Sequence, residues 1–212
     1  PDDDYSEYYM VNPVIGGKYF SRFQHDAPSN DIFLKQKAEN TFRVFVMGSS
    51  TVVGFPFDKN LMFSRILHSR LEESFPKKNI EVINTAITAV NSVTLRNFSK
   101  EIVKYEPDAV LIYDGHNEFY GAFGAGSKEG ISRSSVLTNI HLVLMNSRMY
   151  QLLQNVVGGI REKRYSISEQ DVHGTLMKRI VALTDIERDG KLYQKAMERY
   201  SRNMSKITAL FS

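Results

Sequence analysis

The chain of 212 residues has no cysteine and no tryptophan. Without cysteine it forms neither disulfide bonds nor thiolate metal sites, but this absence does not identify a compartment, because proteins outside the cytosol also fold without bridges. Long apolar runs are missing too. No stretch approaches the ~20 apolar residues of a membrane-spanning helix, and no signal-peptide pattern opens the sequence. Because it starts at Pro1 rather than Met, we expect a piece of a longer polypeptide, which leaves room for a signal or anchor upstream.

A charge excess of one sign is also absent. The 27 Lys and Arg residues stand against 24 Asp and Glu residues, giving a net charge of +3, and the two signs are interspersed. Proteins that bind nucleic acid concentrate basic residues in a patch or stripe, so we expect no nucleic-acid partner. What the chain does have is apolar material, 42% of its residues, which is enough for one domain core.

The most informative stretch is an apolar, β-branched run that stops at a glycine and two serines. Residues Arg43–Met47 read as a buried central strand, and Gly48 permits a tight turn after it. Ser49 and Ser50 then stand at a predicted helix N-terminus, where free backbone N–H groups gather. A hydroxyl there can be a nucleophile beside donors for an oxyanion, or it can simply cap the helix.

Two further strands are predicted at 81–85 and 109–113, separated by helices at 61–75 and 93–105. Strands alternating with helices predict an α/β fold, a flavodoxin-like three-layer α/β/α arrangement around a parallel sheet. Functional sites of such sheets lie at the carboxyl ends of the strands. Those ends carry Ser50, the small residues 86–92 and the polar residues 114–118.

The remaining segments are predicted as accessories of this sheet. Residues 1–40 read as an N-terminal arm whose aromatics pack on the domain of 41–212, with one short strand at 18–23. A loop and helical insertion is expected over 121–190: glycines at 121–135 suit a substrate-shaping loop, and apolar residues at 136–157 suit contact with a second copy or another domain. Helices are expected at 136–160, 174–183 and 190–211.

Three segments together resemble the SGNH (GDSL-type) hydrolases, a family of esterases, lipases and acyl hydrolases. Gly48-Ser49-Ser50 resembles the first block, with Ser49 in place of the acid, and Asn84 opens a second block in which Ala86 and Ala89 replace glycines. Gly115-His116-Asn117-Glu118 matches the third block in full. The wording of that third block is similar to a bacterial branch whose members often belong to multidomain proteins.

The resemblance implies roles for these residues. Ser50 would be the nucleophile, and the oxyanion hole would combine its N–H, the Ala89 backbone N–H and the Asn117 side chain. Ser49, His116 and Glu118 would line the pocket. The resemblance also implies that no metal and no cofactor take part, and that the substrate is a small acyl or sugar ester. A bacterial extracytoplasmic or membrane-anchored location would fit the branch.

The general base is the missing part of this resemblance. The family places it in an Asp-x-x-His block after the last strand, and no such block follows here. His68 and His141 lie in predicted helices and suit packing or surface roles, His25 lies in the arm, and His173 has an acid at the wrong spacing. His116 suits pocket shaping. We therefore expect a sheet truncated after its third strand, with the base elsewhere in a longer polypeptide or on a second chain, and low turnover from this chain alone.

Two other functions stay open. One is a catalytically degenerate SGNH fold that serves as a binding or interaction module, which the altered first and second blocks and the missing base favour. The other is a flavodoxin-like binder of an anion or mononucleotide at the Ser49-Ser50-Thr51 turn. A metal site at Asp114, His116 and Glu118 lacks a fourth ligand in the sequence pattern.

Overall fold

The computed structural model describes residues 5–20, 29–54, 61–127, 135–154, 156 and 186–212. Its strands are β1 (Tyr8–Met10), β2 (Ile32–Leu34), β3 (Thr41–Gly48), β4 (Asn79–Asn84) and β5 (Ala109–Tyr113). β3, β4 and β5 form a parallel sheet in the order β4-β3-β5. The α/β prediction is therefore confirmed, with a three-stranded parallel sheet flanked by helices.

The helices are α1 (Ser50–Val53), α2 (Phe63–Ser74), α3 (Ser92–Ile102), α4 (Ser135–Leu144) and α5 (Lys191–Phe211). Side chains alternate across β3, and the two faces have different partners. Val44 and Val46 pack with Val52 of α1 and the α2 side. Phe45 and Met47 pack in the larger core, which holds these residues of α3 and α5: Leu95, Ile102 and Ile207. Helices on both faces explain why β3 is apolar at almost every position.

The sheet strands and their helices lie close to the predicted ranges, but the strand predicted at 18–23 does not begin as expected, and its residues 21–23 lie outside the described part of the chain. Residues Ile15–Lys18 form a 3-10 helix instead of the start of a strand. Tyr19 and Phe20 follow it and are buried in the larger core. The two aromatics anchor this part of the chain by packing, which their spacing alone could not distinguish from strand pairing. The predicted helix at 174–183 lies outside the described residues.

A two-stranded antiparallel sheet that the sequence did not predict lies against the N-terminal end of β3. β1 pairs with β2 in antiparallel register, with Tyr8 opposite Leu34. Arg43 of β3 lies beneath it with only 1% of its surface exposed. Its guanidinium donates to the Leu34 carbonyl at 2.9 Å, the Tyr105 carbonyl at 2.8 Å and the Glu81 carboxylate. A buried cation is tolerated here because its charge is paired and its donors are satisfied.

Where it is described, the segment 136–157 has two helical stretches, α4 and residues 148–154, separated by a turn at 145–147. The single helix predicted over 136–160 is therefore interrupted. α4 exposes these apolar residues: Val136, Leu137, Ile140, Val143 and Leu144. The helical residues 148–154 add three more exposed apolar side chains, those of Met149, Leu152 and Leu153. Within the described part of the chain, no helix combines the length and apolarity needed to cross a membrane. The predicted contact through this segment stays a prediction.

Candidate functional site

The turn after β3 brings two serines to the carboxyl end of the sheet. Gly48 is required there, because a Cβ at this position would lie 2.5 Å from the Tyr113 carbonyl oxygen of the neighbouring strand. Ser49 takes the N-cap position of α1, and its carbonyl accepts from the N–H groups of Val52 at 2.8 Å and Val53 at 3.0 Å. Ser50 is therefore the first helical residue, half-buried, with an N–H that has no partner inside the helix.

The side chain of Ser49 does not cap the helix. It makes no capping hydrogen bond, is fully buried at 0% exposure, and accepts a hydrogen bond from Nδ2 of Asn117. This contact joins two strand ends that are 68 residues apart in sequence. Of the two readings of Ser49 and Ser50, a capping role for the Ser49 hydroxyl is thus wrong, and that hydroxyl instead holds the Asn117 amide.

Strand register explains why these residues meet. Gly48 of β3 pairs with Tyr113 of β5, so Ser49 and Asp114 are the next residues at the same edge. On the other side, Val46 pairs with Asn84. The segments that leave β4 and β5 are named the β4 loop (residues 85–91) and the β5 loop (residues 114–124).

Asn84, the first residue of the second block, fixes the start of the β4 loop. Its Nδ2 donates to the Val52 carbonyl at 2.9 Å and to the Ser64 hydroxyl at 3.0 Å, while its Oδ1 accepts from the Ala86 N–H at 3.0 Å. The asparagine therefore ties α1, α2 and the loop together. Its role in this structure is to hold the C-terminal end of the Ser50 helix.

Ala89 adopts a backbone conformation that favours glycine. Its φ is 61°, in the left-handed region that costs an L-residue roughly 1–2 kcal/mol. It is buried at 1% exposure. Alanine is thus a strained, buried residue at this position of the β4 loop.

Gly121 and Ala122 join the two loops. The Gly121 N–H donates to the Asn117 carbonyl at 2.7 Å, and the Ala122 N–H donates to the Ala89 carbonyl at 2.8 Å. A Cβ at position 121 would lie 2.7 Å from both of those carbonyl oxygens. The loops that carry Ala89 and Asn117 are therefore packed as one unit, and only glycine fits at their junction.

Glu118 is held inside the protein rather than left open to a ligand. It is 1% exposed, and its carboxylate accepts from the Ser92 N–H at 3.2 Å and from Nε of Arg199 at 3.3 Å. Burial raises the pKa of Glu118, against the opposing effect of the Arg199 charge. The Glu118 carboxylate thus connects the β5 loop with the first residue of α3 and with the middle of α5.

Asp114 lies at the predicted sheet edge, but the resemblance gives it no catalytic or pocket role. Both carboxylate oxygens are buried, and neither has a hydrogen-bond partner of good geometry among the described residues. Burial raises its pKa to about 6, against a weaker opposing effect of the Gly115 backbone. Burial also raises the pKa of Tyr200, helped by the nearby charges of Asp114 and Glu118. Only its position after a strand end could have signalled Asp114 in advance.

The three described histidines have different surroundings. His116 is exposed at this sheet edge, with its ring centroid 6.1 Å from that of Tyr113. His68 contacts the Ile80 carbonyl at 3.0 Å, and His141 contacts the Tyr150 hydroxyl at 3.1 Å. Burial lowers the pKa of His141. These contacts fit the packing roles expected of His68 and His141, while His25 and His173 lie outside the described residues.

Two further features bear on ligands. An open, mostly apolar cavity of about 450 Å³ adjoins α1 and is lined by Thr51, Phe63, Leu111, Ile112 and Tyr113. Within the described ranges, no three His, Asp or Glu side chains are grouped as a metal site would require. The Asp114, His116 and Glu118 side chains thus do not come together as a set of ligands.

No protein-family model matches the chain, and no curated protein matches it either. Among solved structures it is similar to AlinE4, an esterase of the SGNH-hydrolase family, with 20% identity, a TM-score of 0.31 and coverage of 40% of this chain and 44% of that chain. The chain thus spans under half the length of that structure. Two mutants of the same esterase align at 13% identity over 82% and 81% of this chain and 98% of theirs, with TM-scores of 0.32 and 0.31. Scores this low leave the fold and site to be judged from this chain's own geometry.

Proposed function

We propose that the protein is a serine-nucleophile ester hydrolase or acyltransferase of SGNH type, with Ser50 as the nucleophile. The observation that carries the proposal is the hydrogen bond from Asn117 to Ser49. It brings an amide donor from the end of β5 to the turn that presents the Ser50 hydroxyl. A helix cap or a structural turn has no need of that donor.

The oxyanion hole of this proposal has three N–H donors. They are the backbone N–H of Ser50, the backbone N–H of Ala89 and one N–H of the Asn117 amide. An amide NH₂ group carries two hydrogens, so Asn117 can donate one to Ser49 and keep the other for substrate. Ser49, which stands where the family has an acid, would then orient the donor.

In the reaction, the Ser50 hydroxyl attacks the ester carbonyl and gives its proton to a general base. The carbonyl oxygen becomes an oxyanion in the hole, and its collapse expels the alcohol and leaves an acyl-serine. Water then releases the acid, or another alcohol takes the acyl group. The apolar cavity beside Thr51 suits the acyl part of a small acyl or sugar ester.

The base completes the proposal. His116 is the described histidine at this edge, but it is exposed and its ring lies beside Tyr113. We assign the base instead to a histidine in the remainder of a longer polypeptide or on a second chain. An extracytoplasmic or membrane-anchored location in a bacterium is part of the same proposal and rests on the resemblance alone.

The test uses the full-length protein with a short acyl ester and a fluorophosphonate probe. We expect ester turnover and covalent labelling of Ser50, both lost in Ser50→Ala. Ser49→Ala is the matched control, because it removes the neighbouring hydroxyl and keeps the nucleophile, so labelling should slow without disappearing. Activity that survives Ser50→Ala would rule out the nucleophile.

A second candidate is a degenerate fold that binds a ligand without turnover. The strained alanine at position 89 and the exposed His116 favour it. Full-length protein that is folded yet unlabelled by the probe would support this candidate. Thermal shifts with phosphate, flavin and nucleotides in the same preparation would support the third candidate, an anion or mononucleotide binder.

We also propose that residues 136–157 contact a second copy or a neighbouring domain. The proposal rests on the exposed apolar side chains of α4, such as Val136 and Val143, because an apolar patch of that kind usually marks a contact surface. Sedimentation of the full-length wild type and of the double variant Val136→Lys/Val143→Lys tests the contact with a second copy. We expect the wild type to sediment as a dimer and the variant as a monomer. A monomeric wild type that has no further domain would contradict the proposal.

A further inference from the structure

Helix α5 reaches the site loops with two side chains that are one helical turn apart. Arg199 donates to the Phe123 carbonyl at 2.8 Å, to the Glu118 carbonyl at 3.2 Å and to the Glu118 carboxylate at 3.3 Å. Asn203 donates to the Ser92 hydroxyl at 3.0 Å. Three hydrogen bonds from one guanidinium to residues 118 and 123 hold the C-terminal half of the β5 loop.

These contacts belong to one hydrogen-bond network that starts and ends on α5. Arg199 holds Glu118, the Glu118 carboxylate accepts from the Ser92 N–H, and the Ser92 hydroxyl accepts from Asn203 on the same helix. Ser92 directly follows the β4 loop, and Glu118 directly follows Asn117. These hydrogen bonds therefore link the β5 loop, at Glu118, with the residue that directly follows the β4 loop, Ser92.

We infer that Arg199 is a positioning residue that sets the Asn117 donor through the β5 loop. The inference rests on the proposed function, because it gives Arg199 a role in the same oxyanion hole. Arg199 acts on Asn117 in two ways: it fixes the adjacent Glu118 backbone, and it fixes Phe123 beyond the Gly121 junction with the Asn117 carbonyl. It touches no reacting atom.

The planar guanidinium is what makes this arrangement work. Five N–H donors in a fixed fork can serve two carbonyls and a carboxylate at once, whereas a lysine ammonium is a single point charge on a flexible stem. Arg199 also neutralises Glu118, which is buried. Removing the arginine therefore frees the loop and leaves an uncompensated buried acid, which will raise the Glu118 pKa further.

The experiment compares Arg199→Met and Arg199→Lys in the full-length protein with Arg202→Met as a matched control. Arg202 lies on the same helix and is exposed. We expect Arg199→Met to lower kcat and the rate of fluorophosphonate labelling by about 10- to 100-fold, the scale of a small misplacement of catalytic groups, with KM changed less than about threefold. Arg199→Lys should recover part of the rate, and Arg202→Met should match the wild type.

Amide hydrogen exchange gives a readout that does not depend on turnover. In Arg199→Met the Gly121 and Ala122 N–H groups should exchange faster, while amides in the middle of β3 stay protected. If Arg199→Met fails to fold, Arg199→Lys carries both measurements.

The failures are distinguishable. A wild type that is not labelled at Ser50 overturns the proposed function and this inference with it. A labelled wild type whose Arg199 variants keep the full rate, or keep the exchange of Gly121 and Ala122 unchanged, overturns the inference alone. An equal loss of kcat in Arg202→Met also overturns it, because the effect would then belong to α5 as a whole.

Discussion

The two ends of β3 are built in opposite ways. At the N-terminal end, Arg43 is buried with carbonyl and carboxylate partners for its guanidinium. At the C-terminal end, Ala89 holds a left-handed backbone and Asp114 has two buried oxygens without partners among the described residues. The polar groups at the N-terminal end hold the fold together, whereas the C-terminal end contains a strained residue and an unpaired acid. Strain and unpaired groups of this kind cluster at functional sites.

The largest expected effect lies at the paired end. Arg43→Met should lower the free energy of unfolding by about 3–5 kcal/mol, because the Glu81 carboxylate and two carbonyls lose their partner. Urea denaturation measures it. Arg70→Met removes an ion pair whose side chains are 75% and 66% exposed, and should cost at most about 0.5 kcal/mol. Equal losses of unfolding free energy in the two variants would show that burial of Arg43 does not make its contacts stronger than those of an exposed ion pair.

Asn117→Ala tests the functional end. It removes one oxyanion donor, so kcat for a short acyl ester should fall by about 10²- to 10³-fold, or roughly 2.7–4 kcal/mol of barrier. Ser49→Ala keeps the donor and removes only its orienting partner, so its loss should be smaller. If Asn117→Ala and Ser49→Ala lower kcat by the same factor, Asn117 does not contribute a donor of its own to the substrate.

Asp114→Asn tests the unpartnered acid through pH. The folded pKa of about 6 lies above the unfolded value of about 3.9, so the folded state binds more protons between those values and wild-type stability should decline as pH rises from about 4 to 6. The asparagine variant should lose this decline and be more stable at pH 7, by up to about 3 kcal/mol. Parallel pH curves for the two proteins would show that Asp114 has a partner in solution.

Ala89→Gly should have the smallest effect and the opposite sign. Glycine adopts a φ of 61° without the alanine penalty, so the free energy of unfolding should rise by about 0.5–1 kcal/mol after the entropy cost of glycine. Ala122→Gly is the control: it is also buried but lies outside the positive-φ residues, and should be destabilised. Thermal unfolding distinguishes the two signs.

The sequence was sufficient for the sheet and for the position of the serine turn. Apolar β-branched runs placed β5 at its observed bounds and β3 and β4 within two residues of theirs, because a buried parallel strand needs such residues along most of its length. The antiparallel pair of β1 and β2 escaped prediction because each strand has three residues and a long connection, from Met10 to Ile32, separates them.

The contacts between distant residues were beyond the sequence. Arg43 begins a strand that was predicted to be buried, but a charged residue is normally exposed, and nothing in the sequence marked the partners that allow its burial. Arg199 lies 81 residues from Glu118, and nothing local in α5 marks it, although its spacing of four from Asn203 puts both on one helix face. Ser49 was expected to line a pocket, and only the geometry showed which group it binds.

The junction at Gly121 has a consequence for redesign. The N–H groups of Gly121 and Ala122 donate to the Asn117 and Ala89 carbonyls, and a Cβ at 121 would collide with both oxygens. The backbone conformation of the β4 loop therefore cannot change independently of that of the β5 loop. Anyone transplanting a substrate-binding loop from another protein onto this sheet would have to exchange the two loops as a single cassette.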